Sequence, residues 1–137
     1  MPLAHHDLCF GCGLANVFGL HVELEPRESG GVEGRFFVKQ DHQGPPGLGH
    51  GGILAAALDE AMALAIHAEG TLAYTTRLEV ELRAPARIGT FVRLEAWIER
   101  RDDGPIEALA RAYAAGDGAL VAEARGVFLR PDRSGRA

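Results

Sequence analysis

The sequence predicts an α+β domain in which one central helix is covered by an antiparallel sheet of five to six strands. Three observations carry that expectation. The segment Ile53 to His67 is rich in alanine, leucine and methionine and contains neither glycine nor proline, as a helix should. Segments of strand length, alternating or apolar, lie on both sides of it. No second segment reads as a long helix, so the whole sheet has one helix to cover.

Taken in order, the chain opens with a loop segment, residues 1–19. His21 to Glu25 and Val32 to Lys39 read as paired strands joined by Glu28-Ser-Gly-Gly31, a connection of hairpin length. Asp41 to Gly52 is crowded with glycine and proline and allows no regular element. The helix follows and stops before Gly70. Leu78, Val80 and Leu82 alternate with Arg77, Glu79, Glu81 and Arg83, predicting a strand with one buried and one polar face. Phe91 to Arg100, Ile106 to Ala115 and Leu120 to Leu129 complete the sheet, with turns at Asp102-Asp-Gly104 and Gly116-Asp-Gly118. Residues 130–137 are polar and are expected to fray.

The 137 residues are 47% hydrophobic and 24% charged, the make-up of one globular domain with its own core. A formal net charge of -5 argues against nucleic acid or an anionic membrane as the main partner. The first ten residues carry two histidines and an aspartate where a signal peptide needs an apolar core, and the longest apolar run, Ile53 to Leu58, is too short to span a bilayer. With Cys9 and Cys12 as the only cysteines, a reducing cytoplasm is the expected location.

The predicted helix carries two acids, Asp59 and Glu60, on an otherwise apolar surface. Burying a carboxylate without a partner is costly, so each must serve a reaction, face a solvent gap, or pair with a cation such as Arg77. Asp59 shares its helix face with Ala55, Ala56, Met62 and Ala63, with Gly52 a further turn back. Small side chains there leave room for a ligand, for close packing, or for a second subunit. At the other end of the segment, the glycines at 51 and 52 let a carbonyl oxygen approach amides that a helix start leaves without intrahelical partners. Gly51 and Asp59 are eight residues apart, about 12 Å along a helix. Groups acting on one carbonyl must stand roughly 3 Å from it. If the two act together, they come from different subunits.

Other constellations are weaker. His5, His6, Cys9 and Cys12 place four potential ligands in eight residues, but structural zinc sites normally join two separated ligand pairs, and adjacent histidines cannot easily face one ion. The cysteines are therefore read as small residues closing a turn, and no metal is expected. His42 and His50 flank the glycine-rich loop and either orient it or touch a substrate. The only serines, Ser29 and Ser134, sit in a turn and in the tail, which leaves no serine nucleophile.

The run His42-Gln-Gly-Pro-Pro-Gly-Leu-Gly-His-Gly-Gly52, then Leu58-Asp-Glu-Ala-Met62, then Thr75-Thr-Arg-Leu-Glu-Val-Glu-Leu-Arg-Ala-Pro85 resembles the hotdog-fold acyl-CoA thioesterases of the phenylacetate-degradation (PaaI-type) group. The opening Cys9-Phe-Gly-Cys-Gly-Leu-Ala-Asn16 with Gly19-Leu20 resembles a subgroup of it, and the likeness runs from about residue 9 to residue 129. The resemblance implies a sheet wrapped around one helix, paired into homodimers and often into dimers of dimers. It also implies a catalytic Asp59, an oxyanion-binding amide at Gly51 or Gly52, and Thr75 as the residue that positions water. In that family the acid and the amide of one site belong to different subunits. Strand parity and family spacing disagree on the threonine: the alternation of Leu78, Val80 and Leu82 turns Thr76, not Thr75, towards the helix.

The expected function is hydrolysis of an acyl-CoA thioester, with Asp59 as nucleophile or general base and no cofactor beyond the CoA of the substrate. His50, Gly52, Gln43, His42 and Met62 are the expected substrate contacts, and Arg83, Arg87 and Arg130 are unranked candidates for the CoA phosphates. A non-catalytic acyl-CoA binder on the same scaffold is the alternative, distinguished by binding without thiol release. A hydratase is disfavoured for want of a paired histidine and acid.

Overall fold

The computed structural model describes residues 2–131. Six strands form one sheet: β1 (Glu23–Pro26), β2 (Val32–Phe37), β3 (Tyr74–Leu82), β4 (Phe91–Arg101), β5 (Pro105–Ala114) and β6 (Leu120–Leu129). The order across the sheet is β1-β2-β4-β5-β6-β3, and every neighbouring pair is antiparallel. The one α-helix among the described residues, α1 (Gly51–His67), touches all six strands, so the sheet curls around it as the hotdog resemblance implies.

The elements begin and end for local reasons. The first strand starts at Glu23 rather than His21 because His21 takes a left-handed conformation (φ 51°), which breaks an extended run. Its partner ends at Phe37. Gly30 and Gly31, both at positive φ, turn the chain between them. The glycine-rich stretch is not wholly irregular: Gln40–His42 form a short 3-10 turn, and Gln43 pairs with Gly49 across the loop. The helix starts two residues before Ile53. Although glycine is a poor helix former, His50 caps the start by accepting the Gly52 N–H at its Nδ1, 2.8 Å away.

The core lies between α1 and the concave face of the sheet. Leu58, Met62 and Leu64 of the helix are fully buried with Phe36, Leu94, Ile106 and Phe128 of the strands. Each large side chain so buried contributes about 1.5–3 kcal/mol. On the other flank Leu20, Val22 and Cys12 join this core, and the N-terminal segment is bonded to the chain leading into β1 through Leu20 N–H to Phe10 O and Val22 N–H to Gly11 O. The helix face carrying Ala55, Ala56, Asp59 and Ala63 is only half-buried, and Gly52 is exposed.

One strand departs from expectation. The alternation in β3 predicts a buried face, yet Leu78 is 38% and Leu82 55% exposed. The reason is position: β3 is an edge of the sheet, with a partner on one side only. The strand also carries a bulge. Thr75 faces Phe128 and Arg77 faces Val127, so Thr76 is the extra residue between two successive pairs. Residues 132–137, most of the tail expected to fray, lie outside the described residues. Arg130 just before them is tied to the carbonyls of Asp102 and Gly104. Among the described residues no helix is long and apolar enough to cross a membrane.

Candidate active site

The bulge settles which threonine faces the helix. An extra residue in a strand of period two reverses parity, so Thr75 comes round to the side of Leu78, Val80 and Leu82, which pair with Gly126, Ala124 and Ala122. There Thr75 Oγ1 donates to Asp59 Oδ1 at 2.6 Å. The bond runs to the carboxylate itself; the role of positioning water is what the family resemblance implies for this residue. Thr76 points away and donates to the Val127 carbonyl at 3.1 Å.

Asp59 sits midway along α1, half-buried, with one oxygen tied by Thr75. No hydrogen bond to its second oxygen is formed among the described residues. Burial pushes its pKa above the ordinary carboxylate value, while the Thr75 hydroxyl, which favours the charged form, pulls it back. Arg77 is not its partner: that guanidinium pairs with Glu79 at 2.8 Å. A half-buried carboxylate held on one side and open on the other is equipped to take a proton or attack a carbon.

At the helix start the two glycines differ. The Gly52 amide is occupied by His50, whereas the Gly51 amide has no acceptor among the described residues. Gly51 is thus the free donor, at the positive end of the helix dipole. Both residues belong to one helix, so the eight-residue separation holds and one chain does not bring this amide to Asp59.

The expected substrate contacts fall into two groups. His50 and Gly52 lie at the helix start, the histidine acting as its cap. Gln43 is exposed and braces the loop by accepting the Gly47 N–H at 2.7 Å. His42 is only 3% exposed, accepts the Lys39 N–H at Nδ1, and buries Nε2 without a hydrogen-bond partner; burial lowers its pKa. Met62 is fully buried, packed towards Gly126 under the sheet. These two placements are structural within the chain. Of the three arginines, Arg83 is held by Glu81 and Glu123 and Arg130 by backbone carbonyls. Arg87 is exposed, pairs through its backbone with Leu48 of the loop before α1, and has no ion pair among the described residues.

Glu60, the second helix acid, has gone elsewhere. It is 8% exposed, and its Oε2 lies 3.0 Å from His5 Nδ1. Cys9 and Cys12 close around the same point, and the ligating atoms of all four residues lie within 4.8 Å of one another. The Glu60 carboxylate raises the His5 pKa to about 9 against the opposing effect of burial. Burial, with Glu60 adding to it, drives the Cys12 thiol far up. Sequence spacing brought together His5, Cys9 and Cys12 but paired them with His6, because the fourth member, Glu60, comes from the helix; its only signal was an acid on a helix face with no cation at helical spacing.

A sequence profile described as the thioesterase superfamily matches residues 47–121. Human acyl-coenzyme A thioesterase THEM5 is 26% identical over 88 residues, which are 64% of this chain and 36% of that protein. The chain thus spans little more than a third of that relative's length. A phenylacetic acid degradation-related protein of Ralstonia eutropha has 27% identity and a TM-score of 0.71, over 80% of this chain and 85% of that one. A Bacillus halodurans protein solved with CoA has 29% identity and a TM-score of 0.71, over 81% and 74%.

Proposed function

The chain belongs to the thioesterase superfamily, and on that premise we propose that it hydrolyses acyl-CoA thioesters to the free acid and CoA. The hydrogen bond from Thr75 to Asp59 carries the reading. It fixes one carboxylate oxygen and leaves the other to attack the thioester carbon or to deprotonate a water that does so. The thioester oxygen, as it gains charge, is met by the free Gly51 amide and the positive helix start. Because one chain holds these groups about 12 Å apart, the site is shared: Asp59 of one subunit works with Gly51 of its partner. The half-open helix face and the exposed Leu78 and Leu82 of edge strand β3 are the surfaces available for such a homodimer, and Leu14, Val17 and Phe18, all exposed, leave apolar area for a dimer of dimers. Arg87, beside the loop and without an ion pair among the described residues, is the favoured contact for the CoA phosphates.

Asp59→Asn tests this reading. Turnover of a panel of acyl-CoA esters, followed with a thiol reagent, should fall by about 10²- to 10⁴-fold with the dimer intact. Full activity in the variant rejects the assignment. A wild-type protein that binds CoA esters and releases no thiol would favour the binding role.

A further inference from the structure

We propose that His5, Cys9, Cys12 and Glu60 form a structural zinc site that fastens the N-terminal segment to α1. The geometry carries this. With metal–sulfur bonds of about 2.3 Å and metal–nitrogen or metal–oxygen bonds of about 2.0–2.1 Å, a tetrahedral ion separates sulfur from nitrogen or oxygen by about 3.5 Å, and nitrogen from oxygen by about 3.3 Å. Cys12 Sγ and Cys9 Sγ stand 3.5 and 3.8 Å from His5 Nδ1. Cys9 Sγ is 3.5 and 3.6 Å from the two Glu60 oxygens, and the nitrogen–oxygen distance is 3.0 Å. With one Glu60 oxygen as ligand, these distances supply four of the six edges of a tetrahedron, and the remaining two are no longer than 4.8 Å.

A hydrogen-bonded cluster explains the arrangement less well. Two thiols and a carboxylate all converge on His5 Nδ1, a single ring position that has one proton or one lone pair to offer. An ion at the centre serves all four groups at once. The surroundings fit that role. Cys12 Sγ accepts the His5 N–H at 3.2 Å, the kind of bond that favours a thiolate, and His67 packs edge-on against the His5 ring at 5.1 Å. Gly11, between the cysteines, has no room for a side chain: a Cβ there would lie 2.3 Å from Glu60 Cγ. The glycine is what lets the helix carboxylate reach the loop. Two sulfurs with an imidazole and a carboxylate suit zinc over magnesium or calcium, and four protein ligands leave no open position, which makes the site structural. Binding releases the thiol protons, and the imidazolium proton where present, to solvent. The filled site carries a net charge of -1 from two thiolates, one carboxylate and Zn²⁺.

The test uses the whole chain, expressed with zinc in the medium and desalted into metal-free buffer. One zinc ion per chain is expected on denaturation with a chromogenic chelator. Cobalt in its place should give sulfur-to-metal charge-transfer absorption and the strong visible bands of a tetrahedral ion. In the folded protein, zinc should shield Cys9 and Cys12 from alkylation, mapped by mass spectrometry, and a chelator should expose them. This mapping locates the site even if Cys12→Ser fails to fold. Wild-type protein with no bound zinc and no cobalt charge-transfer band overturns the proposal. So does zinc retained undiminished in a folded Cys9→Ser, Cys12→Ser variant.

Discussion

The hydroxyl of Thr75 and the carboxylate of Asp59 act on each other, and that mutual dependence makes pH a test of the pair. Burial raises the Asp59 pKa and the Thr75 bond lowers it. The acid limb of kcat/KM should therefore lie above the ordinary carboxylate range, with activity lost as pH falls through it. Thr75→Val removes the bond that favours the charged form, so the limb should move to higher pH, and Thr75→Ser should restore it. A limb that stays put in the valine variant means another group sets it. The same shift acts on stability: a raised folded-state pKa means that the protonated acid favours the fold, a contribution present below the unfolded value of about 4 and lost as pH rises through the folded one. Asp59→Asn should accordingly raise the urea midpoint at pH 7, and its advantage should shrink as the pH is lowered towards 4. At this scale Asp59 and Gly51 were legible in the sequence, one as an acid on an apolar helix and the other as a glycine at a helix start. Glu60 was legible only as a residue in want of a partner, since nothing in spacing joins position 60 to positions 5, 9 and 12.

At the scale of the element, the start of α1 offers a clean separation of backbone chemistry from side-chain chemistry. Gly51 is the first helical residue, a position that accommodates proline, and His50 ahead of it has φ -67° and ψ 136°, the extended conformation proline requires of its predecessor. Gly51→Pro therefore removes the one amide proposed to bind the oxyanion while keeping the helix. Gly51→Ala is its control, because a Cβ at that position stands 2.7 Å from Leu82 Cδ1 in either variant, and that methyl can shift. We expect Gly51→Pro to lower kcat by about 10²- to 10³-fold relative to Gly51→Ala. Equal rates in the two would move the oxyanion donor elsewhere. The strands were readable from alternating or apolar runs, and the helix from an alanine-, leucine- and methionine-rich run without glycine or proline. The boundaries depended on what periodicity does not encode: the left-handed His21, the His50 cap and the bulge at Thr76.

For the whole molecule, the shared site makes a prediction that no single-chain arrangement can meet. Chains bearing Asp59→Asn and chains bearing Gly51→Pro should each form inactive homodimers. When the two are mixed and allowed to exchange, each mixed dimer keeps one intact acid facing one intact amide, restoring about a quarter of the sites in an equal mixture at random exchange. No recovery, with exchange confirmed by mass, would reject a site that joins the acid of one chain to the amide of the other. In the sequence, the expectation of a partner rests on helix length and on the family resemblance, and the small residues around Asp59 leave room for one. The exposed leucines of β3 looked like core residues until the sheet order placed that strand at the rim.

Thr76 behaves like a surplus tooth in a zip. The rungs on either side of it, Thr75 with Phe128 and Arg77 with Val127, are already consecutive, so excising that tooth should leave both rungs in mesh and the Thr75 hydroxyl still turned inward. Mutating Thr76 in place keeps the tooth and costs one hydroxyl contact with a carbonyl. An added residue that took the place of Thr75 opposite Phe128 would swing Thr75 to the outer surface, and the carboxylate would lose its tether with every rung beyond Arg77 unmoved.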